Sequence, residues 1–178
     1  RTLKPISRRK HGNIILDKWP EKELLDFSSN DYLGLSSDKE LLEYLEKELK
    51  DISHFGSTGS RLLSGDYHYF HSLEAYITKL KKTESALFFS SGYQANIGIL
   101  STLFTKNDII FADKYCHASL IDGIRLSGAK LVRYHHGDYT HLEKRLQDYL
   151  LNKKSESNYD KALIVSEAIF SMDGDLAD

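Results

Sequence analysis

The sequence predicts an α/β protein with a mostly parallel central sheet and helices on both faces, entered through an N-terminal arm and a small strand region. Three observations predict it. From residue 87 onward short apolar runs alternate with longer stretches of helical periodicity, the order a parallel sheet needs because each crossover consumes a helix. The loops leaving the apolar runs carry the glycines, serines, histidines and acids, as at the carboxyl edge of such sheets. The first 30 residues differ: a basic arm precedes brief strand-like runs.

The elements follow in order. Residues 1–13 hold Arg1, Lys4, Arg8, Arg9 and Lys10 with few apolar anchors and read as an arm, open to a solvated-tail role or to binding a carboxylate. Ile14, Ile15, Leu16 and Trp19, then Leu24, Leu25 and Phe27, predict a small hairpin turning at residues 20–22. Ser37 and Glu40 form a capping box before Leu41, Leu42, Leu45, Leu49 and Ile52, which line one face of a helix. Residues 54–69, with Gly56, Gly59 and Gly65 among serines, read as a loop able to approach a ligand. A second helix carries Phe70, Leu73, Ile77 and Leu80. Strands are expected at 87–90, 109–112, 131–134 and 162–165, and helices at 93–104, 118–126 and after a capping box of Thr140 and Glu143. Two regions result, 1–50 with the arm, strands and first helix, and 51–178 with the beginning of the large sheet domain. A parallel sheet that stopped at residue 178 would leave strands unpaired, so the sheet domain is expected to be incomplete and the chain part of a longer protein.

Composition narrows the function classes. Among 178 residues, 26 Asp and Glu offset 24 Lys and Arg, and a net charge of -2 gives no electrostatic case for nucleic acid or an anionic membrane. No apolar window reaches the length of a membrane helix, and a single Cys cannot form a disulfide framework or a Cys-rich zinc site, so a cytoplasmic location is expected.

Three loops could carry chemistry. In LFFSSGYQANIGIL a strand runs into Ser90, Ser91 and Gly92 and then a helix from about Tyr93, so free N–H groups and the positive helix end meet at the sheet edge. That arrangement serves a phosphate or simply caps the helix. In DKYCHASL, His117 leaves the strand at 109–112 on the ligand-binding edge, though a helix-capping or core histidine fits equally; Cys116 beside it is read as packing. In SEAIFSMDGDLAD, Glu167, Ser171, Asp173, Asp175 and Asp178 gather acids, but the spacing lacks the terminal Glu of a calcium loop. HHGDYTH, with His135, His136, Asp138 and His141, could also be drawn as a metal site, but Thr140 reads as a cap and His141 as an exposed first-turn residue, so no metal is expected.

Taken together, FSSNDYLGL, FGSTGSRLLSG, SSGYQAN, DKYCHASLIDGIRL and SEAIFSMDGD resemble, in order and spacing, the α-oxoamine synthases, which are pyridoxal phosphate enzymes of the aminotransferase fold type I. The resemblance covers nearly the whole chain. It implies pyridoxal 5'-phosphate as cofactor, with Gly92 and Tyr93 holding its phosphate through backbone amides, His117 stacking on its ring and Ser171 touching it through a hydroxyl. It also implies that Arg1 and Asn30 bind substrate, with His117 serving both cofactor and substrate. The glycine loop followed by HSLE is most similar to the branch that condenses L-alanine with a pimeloyl thioester, releasing carbon dioxide, in biotin biosynthesis. Branches using glycine or serine share much of the pattern. A homodimer with the site at its interface is implied as well. The family's cofactor-anchoring lysine and the aspartate facing the pyridine nitrogen fall beyond residue 178, and no lysine here lies in the family's serine-rich lysine motif. A non-catalytic fragment that binds a phosphate ligand is the reading of another class.

Overall fold

The computed structural model describes residues 3–10, 12–52, 56–152 and 159–177. It divides into two compact units, Arg1–Tyr67 and His68–Asp178, so the glycine-rich segment joins the first unit and the boundary falls later than residue 50.

The first unit opens with an antiparallel sheet of β1 (Ile6–Lys10), β2 (Asn13–Leu16) and β3 (Trp19–Leu25), in that order. The basic arm is therefore itself a strand: Arg8 and Arg9 pair with Ile15 and Ile14. The β2–β3 turn lies between Leu16 and Trp19, which face each other, so the expected turn at 20–22 is instead strand. Pro20 is tolerated there because β3 is an edge strand, where a missing N–H breaks no ladder bond. Arg9 reaches Asp26 at 2.6 Å, and Asp26 also accepts from Ser28 N and Oγ. A 3-10 turn, Leu35–Ser37, leads into α1 (Lys39–Leu49). Its cap is Asp38, which accepts from Leu41 N at 2.8 Å, one residue after the Ser37 expected from the capping box. A carboxylate at this position also complements the positive end of the helix.

The glycine loop closes on itself. Leu63 N and Gly65 N both donate to Ser60 O at 2.9 Å, and Arg61 pairs with Asp66 at 2.8 Å. Gly65 packs so closely on Gly59 O that a Cβ would sit 1.9 Å from it, which makes glycine obligatory at this crossing.

The second unit holds α2 (His68–Lys81), α3 (Gly92–Leu103), β4 (Ile109–Asp113), α4 (Ala118–Ser127), β5 (Lys130–Tyr134), α5 (Tyr139–Asn152) and β6 (Ala162–Val165). The strands form a parallel sheet in the order β5-β4-β6. All five residues of β4 are buried, and their alternation builds two cores. Ile110 and Ala112 pack with Leu100, Ile121, Ile124 and Val165 on the α3–α4 side. Ile109 and Phe111 pack with Tyr134, Leu142 and the partly buried Leu146 and Tyr149 on the α5 side. Full burial of side chains such as Ile110, Ile124 and Phe111 stabilises the fold by about 1.5–3 kcal/mol each.

Two local expectations are corrected. Residues 87–90 run without ladder partners rather than as a strand; Phe88 N donates instead to Glu74 Oε1 at 2.8 Å. The cap of α5 is Asp138, whose Oδ1 accepts from His141 N at 2.8 Å, and Thr140 lies inside the helix. No described helix is long and apolar enough to cross a membrane.

Candidate functional site

The α3 start forms because Ser91, in extended backbone, accepts from Gln94 N at 3.2 Å through Oγ while Ala95 N bonds to its carbonyl. The cap thus takes the third helical amide and leaves those of Gly92 and Tyr93 facing outward at the positive helix end. A Cβ added at Gly92 would meet nothing within 4 Å, so the space beside the helix start is open there. Ser91 thus caps the helix, and the amides of the two residues after it are not taken by that cap.

His117 is the N-cap of α4, with its ring edge-on to Tyr93 at 6.1 Å between centroids. Its Nδ1 lies 2.7 Å from Ser119 Oγ and accepts from Ser119 N at 3.2 Å. The capping alternative is therefore correct as geometry, yet the ring remains exposed at the sheet edge beside the α3 start. The hydroxyl of Tyr93 donates to Asp122, which raises the phenol above its ordinary value. Glu167, from the loop after β6, accepts from His117 N, fixing the main chain of the histidine from a third element.

Ser171 lies on the tight turn after β6, where Ile169 bridges Leu176, Phe170 N donates to Asp175 O at 2.9 Å and Gly174 takes positive φ. It is exposed and borders a cavity of about 320 Å³ together with Tyr115 and Cys116, the two residues before His117. Asn30 belongs to the first unit and is exposed, between Ser29, whose Oγ accepts from Asp31 N, and Asp31, whose carboxylate accepts from Ser36 Oγ. Arg1 lies outside the described residues, as does Asp178.

The structure adds groups that the sequence reading did not single out for these roles. His136 joins two carboxylates, Nδ1 at 2.9 Å from Asp113 and Nε2 at 2.6 Å from Asp175, with Tyr115 stacked on it and Phe170 edge-on. The Asp113 hydrogen bond raises its pKa most, partial burial opposes this, and Asp175 adds to the rise. Asn96, within α3, donates to Ser119 Oγ at 2.9 Å. Cys116 is buried against Val165 O, and burial pushes its thiol up to about 11, in keeping with a packing role. His135, Asp138 and His141 do converge, but Asp138 already caps α5 and the Arg145 guanidinium sits 3.1 Å from His141 Nε2, a charge that opposes a cation there.

A parallel sheet packed against α3 and α4 on one face and α5 on the other defines an α/β protein. The chain belongs to the class I and II aminotransferase family, which matches residues 22–178. Among its relatives, a protein of Trichodesmium erythraeum named "Putative 8-amino-7-oxononanoate synthase" is 46% identical over 93% of this chain and 40% of its own length. Another of the same name, from Neisseria gonorrhoeae, is 46% identical over 88% of this chain and 40% of its own. Solved structures agree: a serine palmitoyltransferase variant from S. paucimobilis with PLP and myriocin bound superposes with a TM-score of 0.83 at 28% identity, covering 98% of this chain and 42% of that one. An 8-amino-7-oxononanoate synthase from Francisella tularensis gives 0.63 at 40% identity, covering 85% and 39%. These are synthases of the group that the five motifs resemble, and the chain spans about two fifths of the length of the curated relatives it matches.

Proposed function

We propose that the protein is a pyridoxal 5'-phosphate enzyme that condenses L-alanine with a pimeloyl thioester, carried on CoA or on a carrier protein, with loss of carbon dioxide, the 8-amino-7-oxononanoate synthase reaction of biotin biosynthesis. The observation that carries this reading is the meeting of the α3 start with Tyr93 and His117: two outward amides beside an exposed ring fit a phosphate next to a flat heterocycle. The 46% identity to relatives of that name supports the choice of branch.

Pyridoxal phosphate, when bound, supplies an electron sink for the α carbon of the amino acid. The chain supplies the surroundings. Gly92 and Tyr93 N–H would hold the phosphate, and His117 would pack on one face of the ring so that the amino acid is met from the other. Ser171 would donate its hydroxyl to a ring substituent. Arg1 and Asn30 take the substrate roles that the resemblance assigns them, Arg1 to a carboxylate. By the resemblance, the lysine that would anchor the cofactor and the aspartate that would face its pyridine nitrogen belong to the family's sequence beyond the position of residue 178. A homodimer sharing the site is part of the same proposal.

The test is a visible absorption spectrum of the purified protein with pyridoxal phosphate, recorded before and after L-alanine, glycine or L-serine. A cofactor band that responds to L-alanine in preference to the others supports the proposal. Preference for serine would favour the reading supported by the high structural similarity to serine palmitoyltransferase. Cofactor retained in the presence of every amino acid without spectral change would favour a phosphate-ligand binding protein.

A further inference from the structure

The surroundings of His117 constrain where its ring carries a proton. A backbone N–H can only donate, and Ser119 N donates to His117 Nδ1 at 3.2 Å. The same nitrogen lies 2.7 Å from Ser119 Oγ, a hydroxyl on a residue with no solvent exposure. That hydroxyl accepts from Asn96 Nδ2 at 2.9 Å, and because Nδ1 turns its lone pair to the Ser119 N–H it has no hydrogen to give, so the 2.7 Å contact is made by the hydroxyl's own hydrogen. Two donors aimed at Nδ1 require a lone pair there, and the neutral ring must then carry its hydrogen on Nε2.

We infer that Ser119 and Asn96 are positioning residues that hold His117 as the Nε2–H tautomer, so that the ring offers the site one hydrogen-bond donor, directed away from α4. The inference concerns the chain's own network, and its use in catalysis rests on the function proposed above. Ring and main chain are held from different elements: Asn96 on α3 acts on the ring through Ser119 on α4, while Glu167 after β6 fixes the histidine main chain. An acceptor oxygen on a substrate is the chemistry this arrangement fits; a donor on the substrate would find none at Nε2.

The experiment is a long-range nitrogen–proton NMR correlation on histidine-labelled protein at a pH where His117 is neutral, with Ser119→Ala, Asn96→Leu and His117→Gln for assignment and comparison. The expected wild-type pattern is protonated Nε2 and bare Nδ1. In Ser119→Ala the loss of one donor, worth about 1 kcal/mol, should shift the tautomer ratio about fivefold toward Nδ1–H while circular dichroism and unfolding midpoint stay near wild type. Asn96→Leu should move the ratio in the same direction, because the buried Ser119 hydroxyl is freed to turn away. A wild-type ring protonated on Nδ1, or a ratio unchanged in both variants, would overturn the inference. Failure of pyridoxal phosphate to bind, with the Nε2–H pattern intact, would count against the proposed function and leave the tautomer assignment standing.

Discussion

Gly123 lies where α4 crosses α3, the helix pair with the most extensive contact in the fold, and its replacement by alanine tests that crossing directly. A Cβ there would sit 3.0 Å from Asn96 O, 3.0 Å from Leu100 Cβ and 3.1 Å from Leu100 Cδ1. Contacts this short are tighter than ordinary van der Waals packing, so the neighbours must yield by a few tenths of an ångström. Leu100 Cδ1 can rotate aside, but Asn96 O and Leu100 Cβ are fixed to the α3 backbone, and the helices themselves have to part. Overpacking of this kind costs about 1–3 kcal/mol, while alanine in place of glycine within a helix returns up to about 1 kcal/mol. With both terms near the middle of their ranges, the expected net loss is about 1.5 kcal/mol. Urea unfolding at fixed pH should show a lower midpoint with an unchanged slope, since the exposed area on unfolding hardly changes. Because Asn96 sits at the contact, the variant should also lengthen the Asn96–Ser119 hydrogen bond. A Gly123→Ala protein as stable as the parent, or more so, would refute the claim that α3 and α4 approach this closely.

Further outcomes follow from other contacts of the fold. His136, between Asp113 and Asp175, has its folded pKa raised above its unfolded value of about 6.5. Its stabilising contribution is therefore complete below that unfolded value and lost as pH rises through the folded one, so an NMR titration should place its pKa above 6.5, and His136→Gln should flatten the alkaline decline in melting temperature; a pKa below 6.5 would contradict this. Cys116, with its thiol near 11, should resist aromatic disulfide reagents at pH 8 until the protein is unfolded in urea, and rapid stoichiometric labelling of the native protein would contradict the burial described. Asp108, buried at 1% exposure, accepts from Thr105 N at 2.7 Å and from Lys161 N at 3.0 Å. Asp108→Ala strips both donors and should cost about 2–4 kcal/mol in denaturant unfolding; a loss under about 0.5 kcal/mol would show that water replaces the carboxylate.

The legible parts of the fold were those governed by local periodicity. The strands at Ile109–Asp113, Lys130–Tyr134 and Ala162–Val165 and the helices between them stand within a residue or two of where apolar spacing puts them. Errors arose where a nearby alternative satisfied the same local rule. Ser37 and Asp38 are both good caps, and the structure uses the charged one; Thr140 and Asp138 repeat the case at α5. Residues 87–90 have strand composition, but composition does not supply a ladder partner. The basic residues of β1 read as an arm rather than a strand because an exposed strand shows no apolar alternation. At the site, His117 and the α3 start were visible because each follows directly from one loop. The support of His117 by Asn96 and Glu167, and the bridging of Asp113 and Asp175 by His136, join residues far apart in sequence and left no local trace.

The two ladders of β4 are unequal in when they can form. Lys130 pairs beside Ile109 after a single helical crossover, whereas Ala162 reaches the other side only after a second crossover has been made. During synthesis β4, α4 and β5 can thus assemble first, with one flank of β4 open and prone to pair with a strand from another chain. Asp108 responds to that interval: one of its carboxylate oxygens is satisfied within the Thr105 turn, while the other has its partner only when Lys161 arrives. A nascent chain halted before Lys161 would hold an acid with half its bonding unmet next to a bare strand edge. Docking of β6 covers that flank of β4 and completes the carboxylate in one event, so the same residue that ties β4 to β6 also makes the half-made ladder intolerant of waiting.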